Sequence, residues 1–138
     1  MNSLFPYLGV LVIERDPMNR LVTEEMLYQL GFRGIHAEAN SDHLAQILEA
    51  MQVDIAVIDE AYPEALTKIR RFRTNHYILL IATAENMEPT GHIKVKQAGA
   101  DAVIPKTFSR NLLLRTITEA MNSENGRRTR IVPFPKSV

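Results

Sequence analysis

Apolar residues fall along this chain in two patterns. The first is a short continuous run. Gly9-Val10-Leu11-Val12-Ile13, Asp54-Ile55-Ala56-Val57-Ile58, Tyr77-Ile78-Leu79-Leu80-Ile81-Ala82 and Ala102-Val103-Ile104-Pro105 are its examples. Runs of this length predict strands, and the want of alternation in the longest predicts cover on both faces. From Gly34 to Ala39, Ile35, Ala37 and Ala39 alternate with His36 and Glu38. That alternation predicts a half-buried strand at a sheet edge.

The second pattern has the helical period. Asp16 is a good N-cap with Pro17 at the first helical position. Met18, Leu21, Val22, Met26 and Leu30 then form one face, and Gly31 ends the helix. Ser41 is the expected cap of a second helix carrying Leu44, Ile47, Leu48 and Met51. Leu66, Ile69 and Phe72 predict a short third helix ending near Arg73. Ser109 caps a last one with Leu113, Ile117, Ala120 and Met121 inward. The segment from Gly91 to Gln97 is a weak helix former, with Pro89 and Gly91 and the alternation His92-Ile93-Lys94-Val95-Lys96 against it. A crossover helix is still expected there, because parallel strands require one.

Strict alternation of five strands and five helices predicts an α/β fold with a doubly wound, five-stranded parallel sheet of flavodoxin-like type. The edge character of the second strand favours strand order 2-1-3-4-5. That order sets the switch point between the first and third strands, beside Glu14 and Asp59. The pattern stops after Met121. Residues 8–122 are expected to form the domain, and 123–138 a basic, flexible tail containing Pro133 and Pro135.

Composition narrows the function. At 138 residues the chain is one domain, and 46% apolar content is ordinary for a globular one. No apolar run approaches the roughly 20 residues of a membrane span, and the N-terminus lacks a secretory pattern. Cysteine is absent, which excludes disulfides, thiolate metal sites and a cysteine nucleophile and fits a cytoplasmic protein. Net charge is zero, but the tail holds Arg127, Arg128, Arg130 and Lys136 against Glu124. A mildly acidic body with a basic tail is not the composition of a nucleic-acid-binding domain. The 17 residues beyond Met121 are too few for a DNA-binding unit, so a stand-alone adaptor or a piece of a longer chain is expected.

Three strand ends carry candidate chemistry. Asp59 follows the third strand, Thr83 the fourth and Lys106 the fifth. Open α/β sheets place their sites at these ends, and an acid, a hydroxyl and an ammonium together point to a phosphoryl-handling pocket. The blander readings are a carboxylate bonded to loop amides, a β-branched strand residue and a surface lysine. His36, His43, His76 and His92 show no ligand spacing and are read as surface or edge residues. No Gly-rich phosphate loop, metalloprotease motif or Ser-His-Asp arrangement is present, so an independent enzyme is the least expected reading.

With Glu14-Arg15-Asp16-Pro17 after the first strand, Asp59 with Pro63, Thr83-Ala84, and Gly99-Ala100-Asp101 leading to Pro105-Lys106, residues 8–121 resemble the receiver domain of two-component response regulators. The resemblance implies that Asp59 accepts a phosphoryl group from a histidine kinase or phosphotransfer protein. It implies that Lys106 binds the phosphoryl oxygens and that Thr83 reports their arrival. It further implies Mg2+ held by Glu14, Asp59 and the backbone carbonyl of Ala61. Output would pass to a protein partner through the fourth helix, fifth strand and fifth helix, including Lys94, Lys96, Val103, Arg110 and Arg115, and such modules also form homodimers.

The chain departs from the family pattern at several positions. Arg15 stands where a second metal-binding acid is usual. A guanidinium cannot ligate a cation, so it would repel Mg2+ and can pair with Asp59, or it can swing out to solvent. Glu14 can bind metal or pair with Arg15 or Lys106. Asp16 can stand in as a ligand or serve only as a helix cap. The loop after Asp59 is short and lacks the usual Gly, and Val103 replaces a frequent aromatic. Thr107 replaces a proline, so a cis peptide after Lys106 is not expected. Two further readings follow. One is a phosphorylation-independent pseudo-receiver serving as an interaction module. The other is a module that binds a cyclic dinucleotide, such as cyclic diguanylate, through Arg127, Arg128 and Arg130.

Overall fold

A computed structural model of the chain describes residues 4–74, 76–86 and 88–123. Five strands alternate with five helices: β1 (Gly9–Ile13), α1 (Pro17–Gln29), β2 (Gly34–Glu38), α2 (Leu44–Ala50), β3 (Ile55–Asp59), α3 (Pro63–Arg71), β4 (Leu79–Ala84), α4 (Pro89–Gln97), β5 (Ala102–Pro105) and α5 (Arg110–Asn122). The strands form one sheet in the order β2-β1-β3-β4-β5, every pair parallel. This is the doubly wound, flavodoxin-like architecture that the pattern predicts. β2 is the half-buried edge, while β1, β3 and β4 are buried throughout.

Side chains on a strand alternate between faces, so each central strand feeds two cores. Val10, Val12, Ile55, Val57, Leu79, Ile81 and Ile104 pack against Leu27 of α1 and Leu113 and Ile117 of α5. Leu11, Ile13, Ala56, Ile58, Leu80 and Ala82 pack against Leu44 and Leu48 of α2, Ala65, Leu66 and Ile69 of α3, and Val95 of α4. Val95 is the only buried residue of α4, which matches the weak amphipathicity of that segment.

Several elements differ from the sequence expectation. The inward face of α1 carries Thr23 and Leu27, whereas Met18 is 64% and Leu21 62% exposed and Val22 is also exposed. The buried arc is shifted by one residue, about 100° of helix rotation. Thr23 tolerates burial because its hydroxyl donates to Asn19 O at 2.7 Å inside the helix.

α2 begins two residues late, at Leu44, and its N-cap is His43. Ser41 does not cap it; its hydroxyl donates instead to Glu64 Oε1 on α3, at 2.8 Å. β3 starts one residue late, at Ile55, and the carboxylate of Asp54 just before it accepts from Gly9 N at 2.8 Å.

β4 runs two residues further than Ala82. Its ladder continues through Glu60 N to Thr83 O at 2.9 Å and Lys106 N to Ala84 O at 2.8 Å. Tyr77 lies outside the strand, with its ring 4.0 Å from the Arg70 guanidinium and its hydroxyl on Asp101.

Candidate functional site

Strand periodicity assembles the site. Val12, Val57, Ile81 and Ile104 all belong to the core shared with α1 and α5. Two residues beyond each, on the same face, come Glu14, Asp59, Thr83 and Lys106. Asp59 and Thr83 stand in register with Glu14 next to them, while Lys106, two residues beyond the Ile104 that pairs with Thr83, brings its amine back to the acids at the C-terminal edge of the sheet. Asp59 is the last residue of β3 and pairs in register with Thr83 of β4. Thr83 thus lies within its strand rather than after it. Glu14, Asp59 and Thr83 are all buried.

Asp59 is 0% exposed. Its Oδ1 accepts from Ala61 N at 3.0 Å and meets Lys106 Nζ at 3.0 Å. Lys106 Nζ also reaches Glu14 Oε1 at 3.1 Å, so one ammonium bridges two buried carboxylates. The second oxygen of Glu14 accepts from Asp16 N at 2.9 Å. Burial pushes the Asp59 carboxyl up. The Ala61 hydrogen bond, the bond and charge of Lys106, and the Arg15 amide outweigh it, so its pKa lies below the usual carboxylate value. Burial likewise lowers Lys106, but hydrogen bonds and charge from Asp59 and Glu14 prevail and hold it above an ordinary lysine.

Arg15 occupies the mouth. Its amide is 3.4 Å and its Nε 3.5 Å from Asp59 Oδ2, while its Nη2 lies 4.0 Å from Glu85 Oε1. Its side chain is 54% exposed. Of the two alternatives left open by the sequence, the pocket orientation is the one adopted. Glu85 was missed by the sequence reading; its signal is its place two residues beyond Thr83. Its amide is tied to Glu60 Oε2 at 2.8 Å, which joins the loops after β3 and β4 into one rim.

The residues present do not fit the divalent ion that the resemblance implies. Mg2+ needs near-octahedral oxygen donors with carboxylates free to turn toward it. Both Glu14 oxygens and Asp59 Oδ1 are already held by donors of the protein, and Asp59 Oδ2 faces a guanidinium. Asp16 is committed as the helix cap, accepting from Asn19 N at 2.8 Å. Ala61 enters the site through its N–H. Among the described residues no group of three or more acids or histidines is arranged to hold a metal. Glu14 and Asp59 each face a cation of the protein, Lys106 or Arg15, which leaves little at either buried carboxylate to attract a dication.

Other expectations are revised nearby. The Lys106–Thr107 peptide is cis despite the missing proline. Lys106 is positioned by tertiary contacts on both sides, its N–H on Ala84 O and its Nζ between two acids. His76 is half-buried rather than a surface residue, its side chain turned inward with Nε2 at 2.9 Å from Val53 O and 3.4 Å from Asp54 Oδ1. Arg110 reaches α1, donating to Gln29 Oε1 at 2.9 Å, so it faces away from the surface expected to include it. Arg127, Arg128 and Arg130 lie outside the described residues. Among the described residues no helix is long and apolar enough to cross a membrane.

Comparison with known proteins agrees with this geometry. No curated protein matches the sequence. Among solved structures, the receiver domain of the sensor histidine kinase PA1611 from Pseudomonas aeruginosa, described with magnesium in its active-site cleft, superposes with a TM-score of 0.74 at 25% identity over 84% of this chain and 98% of that one. The chemotaxis response regulator CheY4 of Vibrio cholerae gives 0.75 at 16% identity, over 82% and 98%. A response regulator from Thermotoga maritima gives 0.71 at 19%, over 84% and 98%. The family model of the response regulator receiver domain matches residues 10–118, and with the sheet order and the site at its edge this establishes that the chain belongs to the response regulator receiver domain family.

Proposed function

We propose that this receiver works in a two-component phosphorelay, accepting a phosphoryl group on Asp59 from a phosphohistidine of a histidine kinase or phosphotransfer protein. The observation that carries the reading is the buried Asp59–Lys106 pair at 3.0 Å with Thr83 in register beside it. Asp59 Oδ1 is held twice at 3.0 Å, whereas among the described residues Oδ2 has the longer Arg15 contacts. Oδ2 is therefore the freer nucleophile. It attacks phosphorus, a P–O bond forms and the P–N bond breaks. The imidazole nitrogen keeps the electron pair and takes a proton from solvent, leaving an acyl phosphate on Asp59.

A carboxylate attacking an anionic phosphoryl group meets charge repulsion, so catalysis is chiefly positioning and charge neutralisation. Lys106 supplies a compact ammonium at Oδ1, and Arg15 a fork beside Oδ2 that suits phosphoryl oxygens. Thr83 is one strand spacing away, about 4.8 Å, within reach of the group that Asp59 would carry. The signal would leave by protein contact across α4, β5 and α5, where Lys94 and Lys96 close the end of α4. We place the protein in the cytoplasm, where phosphohistidine donors are made.

The test is incubation with a small-molecule phosphoryl donor and with phosphorylated kinase, in the presence of Mg2+, followed by intact-mass analysis. One added phosphoryl group, lost in alkali and absent from Asp59→Asn, supports the reading. No modification of the folded wild type by either donor overturns it, as does equal modification of Asp59→Asn.

A further inference from the structure

The pocket carries its own counter-charge. Glu14 and Asp59 are buried acids, and Lys106 answers both from one side. Arg15 answers Asp59 from the other side, at the oxygen that Lys106 does not touch. The backbone gives it little choice. Glu14 accepts from the amide of Asp16, and Asp16 caps α1. Arg15 is the single residue between them, so its side chain starts at the pocket mouth.

Its guanidinium is always charged and planar, with donors that match two phosphoryl oxygens at once. Its contacts are long, 3.5 Å to Asp59 and 4.0 Å to Glu85, and the side chain is half exposed. A loosely held arginine can follow a group built onto Oδ2, exchanging one distant carboxylate for closer phosphoryl oxygens. A phosphoryl group arriving there adds negative charge directly between Arg15 and Lys106, the two cations that face Asp59.

We propose that Arg15 takes the place of the divalent cation in this pocket, so that the site accepts a phosphoryl group, or a beryllofluoride mimic of it, without metal. This rests on Asp59 being the acceptor. Signalling through this chain is then independent of Mg2+ on the receiver side.

The experiment is beryllofluoride binding to the 138-residue chain in EDTA and in Mg2+, followed by fluorine and amide NMR, on wild type, Arg15→Ala and Arg15→Asp. The expected result is saturable binding by wild type with equal affinity in both buffers. Arg15→Ala in EDTA should bind about tenfold more weakly or worse, the worth of one charge-assisted contact. Arg15→Asp should bind only with Mg2+. Wild-type binding that requires Mg2+ overturns the proposal and leaves Asp59 standing as acceptor. Folded wild type that binds in neither buffer, while Arg15→Asp binds with Mg2+, overturns both this proposal and the acceptor reading, with Arg15 closing the site.

Discussion

Lys106 and Asp59 sit on strands that are not neighbours, β5 and β3, yet their side chains meet at 3.0 Å across the end of β4. Lys106 holds Glu14 as well, 3.1 Å away. Removing it leaves two buried carboxylates facing each other, while removing the Asp59 charge leaves Lys106 still paired. Breaking a buried pair from the side that strands a charge is the costly direction. Lys106→Met should therefore lose about 3 kcal/mol of stability, and Asp59→Asn distinctly less. Urea denaturation of both and of the double variant checks this. A double variant less stable than Lys106→Met would contradict the account, since the second change relieves the stranded charge.

The same pair sets the pH range of stability. Asp59 has its folded pKa below its unfolded value, so its contribution is present above about pH 4 and lost as pH falls through the folded pKa. Lys106 is raised, so its contribution is complete below about pH 10 and lost as pH rises through a folded value above 10.5. Thermal melts should show a plateau between these limits with a falling limb at each end. In Asp59→Asn the acid limb should flatten. An acid limb identical to that of wild type would assign it to other carboxylates.

Thr83 stands in register with Asp59 and shares its face of the sheet. A hydrogen bond from its hydroxyl to an anionic phosphoryl mimic is worth about 1.5 kcal/mol or more. Thr83→Ala should weaken beryllofluoride binding by about tenfold, and Thr83→Ser should restore most of it. Fluorine NMR titration reads both. Equal binding by wild type and Thr83→Ala would remove the hydroxyl from the site.

The fold was legible because strands covered on both faces leave unbroken apolar runs, and only β2 alternates. Asp59, Thr83 and Lys106 were legible because each follows such a run. The orientation of Arg15 was not, since a long side chain at a loop can turn either way; contacts with Asp59 and Glu85 decide it. Ser41 looked like a cap because its type and position are right. A partner 23 residues away, Glu64, took its hydroxyl. The cis bond after Lys106 was unreadable for a related reason, since in the absence of proline only tertiary contacts mark the position. Charge that reaches across elements escapes a local reading.

The clearest disagreement between pattern and structure is on α1, and it is also easily tested. Helical spacing puts Met18, Leu21 and Val22 on an apolar stripe that should face the core. The structure buries Leu27 completely and exposes Leu21. The packed sheet selects the arc that carries Thr23 and Leu27 because Val10 and Val12 of β1 belong to the same core as Leu27 and Leu30. Leu27→Ala should then cost about 2–5 kcal/mol, the range for emptying a packed leucine site. Leu21→Gln should cost no more than about 0.5 kcal/mol, as surface changes do. Urea midpoints at constant m-value measure both. Equal losses at the two positions would mean that the helix is rotated toward the stripe the sequence suggests, and with it the loop that aims Arg15 at Asp59.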